Sequence, residues 1–433
     1  MRTIKRVVVS RLKFFYKTFI VRNIRALLLF LFGASANKKD WNKRLLIVYL
    51  QSIGDVIVFT SVLQHYRAAF PGKKIYLLAK DGLGVEKFVQ PFVDEVINVN
   101  YRGFVANPFY GFRLVSHLRR IGFHTVINQD HSPVEIIGKM ITVSLQAEYT
   151  IGYEGAGILF REPYDANMAY GVNFSVQKLY PKFSRIVPSL DKQAALKSIS
   201  FKSVIEHYIY YFKQITGKTM HDFATCLSIG PADERVIQNL LSERGLSVNH
   251  YAVINLGSNA TWRNWPVERF AKVSIIFSEK HIPVVLIGAE HQKYLAQEFK
   301  RAYKEKVEDF VGILTLQQSF ALIKNCFIVL TNDTSTVHAA VALRKPSLCI
   351  VGRGYANSMA FYGYRDINVW VFKETSCVAD NWQCTAKIKP GEIAPCIDAV
   401  RIEDVNKQLV TLLDYCAKTK EYPNQPFEPS FLS

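Results

Sequence analysis

Three short stretches of the sequence carry side chains that could take part in group transfer. The first, "QSIGDV", follows the apolar run "RLLIVYL" and places Gly54 and Asp55 at the start of a helix-like pattern. In open α/β sheets ligands bind outside the carboxyl ends of the strands, so Asp55 could accept a proton from a bound hydroxyl group there. Gly54 would let a substrate approach the backbone closely. An N-cap carboxylate is the structural alternative for Asp55, and in either role the start of a helix predicts a low pKa.

The second stretch, "GSNATWRNWPVERF", begins with Gly257 after the apolar run "YAVINL". Gly257, like Gly54, would allow close approach to the backbone. Arg263 precedes Pro266, which is typical of the first position of a helix, so its guanidinium could reach an anion at the strand ends. An ordinary surface arginine is the structural alternative. Trp265 is expected to pack in the core.

The third stretch, "LTNDTSTVHAAVALRKP", ends a predicted strand in a run of polar residues and opens a helix. Exposed amides and hydroxyls at the positive end of a helix favour a bound phosphate. The structural alternatives are a helix cap for Asp333 or Ser335 and a buried, hydrogen-bonded histidine for His338. The candidate residues of this stretch are Asp333, Thr334, Ser335, Thr336 and His338.

Two parallel sheets are needed to position these residues. Short apolar runs alternate with helical periodicity from "RLLIVYL" onward, and the alternation restarts at Tyr251. This pattern predicts an α/β protein with two Rossmann-like doubly wound domains facing a central cleft. A chain of 433 residues also favours two domains. We expect the first in residues 41–220, with loops over the cleft in 153–197, the second in 221–390, and a C-terminal helix and tail in 391–433.

Residues 1–40 form a basic arm that contains no acidic residue before Asp40. Arg22 and Arg25 are among its basic residues, which alternate with aromatic residues and with "ALLLFLF". No run reaches the ~18 apolar residues of a spanning helix. The arm therefore predicts an amphipathic helix in the membrane interface, with basic side chains attracted to anionic headgroups. A signal peptide with "ASA" as its cleavage site and a solvated basic arm are the alternatives.

The composition indicates a globular protein with an anionic partner. Hydrophobic residues make up 49% of the chain, and its formal net charge is +18. Seven cysteines, an odd and scattered number, favour reduced thiols in the cytosol. Cys377, Cys384 and Cys396 lie near one another in sequence, but they lack the CxxC spacing that is typical of a zinc site.

Four segments in this order, "SIGDV", "RNWPVERF", "VVLIGAEHQ" and "NDTSTVHAAVAL" followed by "KP", resemble glycosyltransferase family 9, the bacterial heptosyltransferases of lipopolysaccharide core synthesis. The resemblance runs from about Leu45 to Leu413 and includes "AEYTIGY" and the closing "CIDAVRIEDVNKQL". It leaves out the N-terminal arm and the residues after Leu413. The resemblance implies the GT-B architecture, with the donor nucleotide held mostly by the C-terminal half and the acceptor by the N-terminal half.

The resemblance also assigns roles to individual residues. It implies that Asp55 is the catalytic base and that Arg263 stands where the family has a lysine on the donor phosphates; arginine keeps the charge but changes its geometry. The donor motif of the family matches Asp333, Thr334 and His338, and the acid near the adenosine ribose falls at Glu290 or Gln292. Ser335 departs from the family, which usually has glycine there. Its β-carbon could crowd the donor, so another nucleotide sugar or reduced activity is possible.

The expected reaction is the transfer of heptose from ADP-heptose, with inversion, to a lipid-linked saccharide. Arg263 and the amides of residues 334–336 would stabilise the leaving diphosphate without a metal or cofactor, and no DxD-type metal motif is visible. The expected partners are the nucleotide sugar, an anionic lipid-linked acceptor and the cytoplasmic face of the inner membrane. The alternatives are a transferase of the same fold that uses another donor, and a non-catalytic basic protein that binds membrane or nucleic acid. The sequence contains no nucleic-acid-binding motif.

Overall fold

The computed structural model describes residues 20–129, 135–153, 182–187, 204–352, 362–364, 366–373, 375, 388–389 and 391–419. Some predictions therefore lie outside the described residues. They concern the first 19 residues of the arm, most of the segment 153–197, Cys377 and Cys384, and the C-terminal tail.

The first half contains a parallel sheet of six strands among the described residues, in the order β3-β2-β1-β4-β5-β6. Strand β1 lies between β2 and β4. Its residue Ile47 is opposite Leu77 of β2 and Ile127 of β4. Apolar runs that predicted strands form β1 to β4, whereas β5 and β6 were not predicted. The strands are β1 (Arg44–Val48), β2 (Lys74–Lys80), β3 (Glu95–Val99), β4 (Thr125–Asn128), β5 (Tyr149–Tyr153) and β6 (Arg185–Val187).

Helices connect and cover this sheet. They are α1 (residues 20–32), α2 (Ile53–Ala69), α3 (Glu86–Val89), α4 (Tyr101–Ala106), α5 (Pro108–Ile121), α6 (Glu135–Val143) and α7 (Val204–Thr216). Helix α4 was not predicted. The prediction of loops in residues 153–197 is wrong for β6, whose residues pair in parallel with β5.

The second half contains another parallel sheet of six described strands, in the order β12-β11-β10-β7-β8-β9. Strand β10 lies between β7 and β11, and every residue of β10 is buried. Strand β12 was not predicted. The strands are β7 (Ala252–Asn255), β8 (Val284–Ile287), β9 (Val307–Asp309), β10 (Ile328–Asn332), β11 (Ser347–Ile350) and β12 (Asn368–Val371).

The helices of the second half follow its strands in the predicted alternation. They are α8 (Pro231–Glu243), α9 (Val267–Glu279), α10 (Lys293–Ala302), α11 (Leu316–Lys324), α12 (Ser335–Ala342), α13 (Pro395–Asp398) and α14 (Ile402–Lys418). Pro266 is the residue before α9 rather than its first residue. The predicted architecture of two parallel, doubly wound sheets is confirmed. None of the described helices is long and apolar enough to cross a membrane.

The two halves pack directly against each other. One apolar cluster contains buried residues of both sheets and of their covering helices. Across the contact, the ring centroids of Phe88 and Phe320 are 6.2 Å apart, and Gln317 Nε2 donates to the carbonyl of Gly84 at 3.1 Å. Helix α2, which follows β1, also packs on α12, which follows β10. The carboxyl ends of the two central strands are therefore brought to one cleft.

Candidate active site

Asp55 lies in the first turn of α2, at the cleft. The helix is capped by Ser52, whose backbone N–H donates to Asp55 Oδ2 at 3.1 Å. The prediction of Asp55 as the N-cap is therefore wrong in position, because Asp55 stands three residues further on and reaches back to the cap. Tyr49 Oη donates to the backbone carbonyl of Asp55 at 3.3 Å, which ties this turn to the end of β1.

The pKa of Asp55 is raised from 3.8 to about 6. Burial is the largest cause, and the negative charge of Asp333 across the cleft is the second; the Ser52 amide and Arg263 oppose them only in part. The expectation of a low pKa is wrong because the helix start acts on Asp55 less strongly than loss of solvent does. A carboxylate with this pKa is ionised at neutral pH and still a competent base, which suits proton acceptance from a hydroxyl.

Asp333 and Arg263 form an ion pair on the opposite side of the cleft. Arg263 Nη1 lies 3.2 Å from Asp333 Oδ2, and the Asp333 side chain is only 6% exposed. The Arg263 turn is fixed to the end of β10, because the backbone N–H of Trp265 donates to Asn332 Oδ1 at 2.9 Å. Trp265 itself is fully buried, as predicted. Arg263 thus stands at the carboxyl edge of the second sheet, where an anion could be bound.

The start of α12 is capped by Thr334, whose Oγ1 accepts the N–H of Thr336 at 3.2 Å. The alternative in which Asp333 or Ser335 caps this helix is therefore wrong. Asn255 Nδ2 donates to Thr336 Oγ1 at 2.9 Å, so the Thr336 hydroxyl is engaged with the end of β7. The helix start remains the positive end of a dipole that faces the same cleft as Arg263.

His338 is buried within α12, with 3% exposure, and its pKa is lowered to about 4, chiefly by burial. Its Nδ1 is hydrogen-bonded to Tyr362 Oη, and its Nε2 lies 3.7 Å from Asp333 Oδ1. Burial also keeps Tyr362 protonated, because its pKa is raised well above 10. A neutral imidazole beside a carboxylate is most stable with the proton on Nε2, so we infer that Tyr362 donates to Nδ1.

Tyr362 was missed by the sequence analysis. No spacing in "FYGY" connects it to His338, although the two rings stack with centroids 5.8 Å apart. The ring of Trp370 of β12 lies 5.8 Å from the Tyr362 ring and is tilted by 42° to it. These contacts arise from folding, since β12 and the segment before it come to α12 only through the second sheet.

Two glycines allow close approach within the protein. A β-carbon on Gly54 would lie 2.6 Å from His338 Cδ2 and 3.5 Å from the Cα of Ser335. A β-carbon on Gly257 would lie 2.6 Å from Gln292 Nε2. Both positions were predicted to admit a substrate. The groups that approach them in the structure are instead side chains of the protein itself.

Glu290 and Gln292 lie on a 3-10 turn after β8 and differ in environment. Gln292 is buried, and its Oε1 accepts the N–H of Ala289 at 3.0 Å, so its contacts hold the local fold. Glu290 is exposed and pairs with Lys293 at 2.8 Å. Contact of either residue with a ribose stays a prediction, and exposure favours Glu290.

The five cysteines within the described residues are free thiols. Within the same part of the chain, no group of three or more His, Cys, Asp and Glu residues is placed to hold a metal ion. The cleft itself brings together Asp55, Arg263, Asp333, His338 and the start of α12.

Residues 168–387 match the family described as Glycosyltransferase family 9 (heptosyltransferase). Lipopolysaccharide heptosyltransferase 1 of Escherichia coli K12 is 22% identical over 333 residues, which cover 74% of this chain and 91% of that protein. Lipooligosaccharide heptosyltransferase 2 of Haemophilus influenzae is 28% identical over 94 residues, so the chain spans 27% of the length of that relative.

Solved structures share the fold. The glycosyl transferase family 9 protein of Veillonella parvula superimposes with a TM-score of 0.68 at 19% identity, over 88% of this chain and all of that one. An E. coli heptosyltransferase solved with ADP gives 0.55 at 16% identity, over 87% of this chain and all of that one. The predicted GT-B-like fold is thus confirmed.

Proposed function

This chain belongs to glycosyltransferase family 9, the heptosyltransferase family, and we propose that it transfers heptose from ADP-heptose to a lipopolysaccharide core or a related lipid-linked saccharide. The relatives named above are heptosyltransferases, and one of the solved structures holds ADP. The observation that carries the proposal for this chain is the carboxyl of Asp55, with a pKa of about 6, facing the donor-motif residues across the cleft.

In the proposed reaction an acceptor hydroxyl attacks the anomeric carbon of the donor sugar. Its oxygen forms the new glycosidic bond while the bond from that carbon to the diphosphate oxygen breaks and leaves its electron pair on the diphosphate. The hydroxyl proton passes to the Asp55 carboxylate. Attack on the face opposite the leaving group inverts the anomeric carbon, and the contact between the two halves would hold both substrates in line and exclude water.

The leaving diphosphate gains negative charge in this step. Arg263 supplies positive charge at the carboxyl edge of the second sheet, and Asp333 fixes its guanidinium there. The start of α12 adds backbone amides and the positive end of its dipole. His338, with its proton on Nε2, can donate one further hydrogen bond into the same region. No metal enters these steps.

Ser335 supports a second candidate, the same reaction with another nucleotide sugar. Its Cα lies 3.5 Å from the position of a β-carbon on Gly54, so its side chain starts where the two halves touch. A donor with a smaller sugar would fit the remaining space more easily.

We further propose that the acceptor is anionic and lipid-linked, and that the enzyme works at the cytoplasmic face of the inner membrane. The net charge of +18 favours both an anionic acceptor and an anionic surface.

The test is a transfer assay with purified protein and core-truncated lipopolysaccharide, using ADP-heptose, UDP-sugars and GDP-sugars in parallel. Asp55→Asn keeps the shape of the side chain but removes the base, so kcat should fall by about 100-fold or more while ADP binding is retained. Asp81→Asn is the matched control, because Asp81 follows β2 as Asp55 follows the neighbouring strand β1. Equal activity of wild type and Asp55→Asn would reject the mechanism, and transfer only from UDP-sugars or GDP-sugars would reject the donor.

A further inference from the structure

Helix α1 presents most of its apolar side chains outward. Its inward side contains the buried residues Val21 and Arg25, and Leu29 packs against the core of the first half. Four outward residues follow at intervals of four, three and four, which places them on one face of a helix. These and the neighbouring Phe30 are exposed as follows: Ile20 37%, Ile24 40%, Leu27 56%, Leu31 55% and Phe30 84%. We call these five residues the outer stripe.

Arg25 anchors the helix in this orientation. Its guanidinium lies 3.9 Å from the centroid of the Phe104 ring, and Nη1 donates to the carbonyl of Phe104 at 2.8 Å. Burial and neighbouring Arg22 lower its pKa to about 10, so it remains charged. The prediction that the basic residues of the arm face lipid headgroups is therefore wrong for Arg25. Gly111 leaves room for it, because a β-carbon there would lie 2.6 Å from Arg25 Cδ.

The segment after α1 fixes the C-terminal end of the helix. The N–H of Asn37 donates to the carbonyl of Arg119 at 2.8 Å, and Arg119 Nη1 donates to the carbonyl of Ala34 at 3.3 Å. With the middle of α1 held on α4 and the segment after it held on α5, the outer stripe cannot turn inward without breaking these bonds. A helix that buries arginine and exposes leucine and phenylalanine reverses the usual arrangement, which indicates a partner for its outer face.

The helix that carries the outer stripe and the two helices beneath it contain basic residues and no acidic ones. Helices α1, α4 and α5 contain no acidic residue, and the sequence has none between Glu95 and Asp130 or before Asp40. On α4 and α5 the exposed basic residues are Arg102, Arg113 and Arg120. A second copy of this chain would meet the outer stripe with an equally basic face, and that like charge disfavours a symmetric dimer.

We propose that the outer stripe and these three arginines form a docking surface for an anionic lipid bilayer. The apolar side chains would enter the headgroup region while the arginines contact lipid phosphates, and the two contributions add. Helix α4 begins just after β3, at the same carboxyl edge of the sheet that holds Asp55. Docking would therefore hold the edge of the sheet that carries Asp55, where the acceptor would bind, beside the membrane. The inference rests on the proposed function only in that the acceptor is a lipid.

The test is co-sedimentation of the full-length protein with vesicles of phosphatidylcholine, with and without phosphatidylglycerol, in the absence of donor and acceptor. We expect binding to the anionic vesicles that weakens with salt. The triple variant Leu27→Ser/Phe30→Ser/Leu31→Ser should bind the anionic vesicles at least about tenfold more weakly than the wild type. Val236→Ser/Ile275→Ser is the matched control, since both residues are exposed apolar residues of the second half, and it should bind like the wild type.

Three outcomes would overturn the proposal. The first is that the wild-type protein does not sediment with anionic vesicles. The second is that the wild type and the triple variant bind the vesicles equally. The third is a wild-type dimer in ultracentrifugation that the triple substitution abolishes, which would make a second copy of the chain the partner. ADP affinity and thermal unfolding of the triple variant should match the wild type and show that it is folded. Because vesicle binding needs no turnover, its failure would leave the transferase proposal standing, and an inactive protein could still bind vesicles.

Discussion

Substitution of Gly54 by alanine tests whether α2 and α12 must touch for catalysis. The new β-carbon would lie 2.6 Å from His338 Cδ2, which is 0.8 Å short of the 3.4 Å at which ordinary contact begins. His338 cannot move away freely, because it is buried and bonded to Tyr362. Overpacking of this kind costs about 1–3 kcal/mol. Alanine in a helix recovers about 0.5–1 kcal/mol relative to glycine, so the closed arrangement should lose roughly 1–2 kcal/mol.

The two halves can avoid the overlap by separating, and the assay must distinguish this from unfolding. If they separate, kcat/KM should fall about 5- to 30-fold, because each 1.4 kcal/mol is a factor of ten in the closed population. The melting temperature should hardly change, since alanine stabilises helix α2 itself relative to glycine. Gly230→Ala is a control, because the nearest atom to its new β-carbon would be at 3.7 Å. Unchanged kcat/KM in Gly54→Ala would show that catalysis does not require the close contact of α2 with α12.

Three further predictions concern single residues of the cleft. The pKa of Asp55, about 6, lies above its ordinary 3.8, so the folded protein binds this proton more tightly than the unfolded chain. The free energy of unfolding should therefore fall as the pH rises from about 4 to 6. The value of kcat/KM should rise with pH around 6 and level off above it, and an acid limb near pH 4 would contradict the raised pKa. Tyr362→Phe should raise the pKa of His338 and add the Nδ1–H tautomer to its imidazole ¹⁵N spectrum, whereas Tyr364→Phe, which removes another buried hydroxyl nearby, should leave that spectrum unchanged. Arg263→Lys keeps the charge but loses the fixed geometry of the ion pair with Asp333, so KM for the donor should rise by about three- to tenfold with a smaller change in kcat. An equal fall in kcat would instead indicate a contact made only in the transition state.

Local pattern was sufficient for most of the fold. Buried parallel strands are continuous apolar runs, and "RLLIV", "KIYLL" and "FIVLTN" could be recognised from composition alone. Helix α4 also had a recognisable start, since Asn100 caps it and Asn107 with Pro108 opens the next helix. Helix α4 has only six residues, too few for helical periodicity to show in the sequence. Strand β12 has four residues and little context, so its assignment needed its partner β11.

The electrostatics of the site could not be read from local sequence. Asp55 has a helix start beside it in sequence, which predicts a low pKa. Burial and the charge of Asp333, which belongs to the other half of the chain, raise the pKa instead. The tautomer of His338 likewise depends on Tyr362 and Asp333, which only the folded second half brings to its two ring nitrogens. Residue types identified the site, and the packing of α2 on α12 determines how those residues titrate.

The same packing predicts how the substrate changes its own base. Asp55 already responds to the charge of Asp333 across the cleft. A donor diphosphate bound at Arg263 would bring two more negative charges and weaken the opposing effect of that arginine, so the pKa of Asp55 should rise again when donor binds. The acid limb of kcat, which reports the bound complex, should therefore lie at higher pH than the limb of kcat/KM, which reports the free enzyme. Asp55→Asn should lose both limbs. Limbs at the same pH, or a kcat limb at lower pH, would mean that the donor phosphates lie too far from Asp55 to affect it, and the placement of the diphosphate at Arg263 would have to be abandoned.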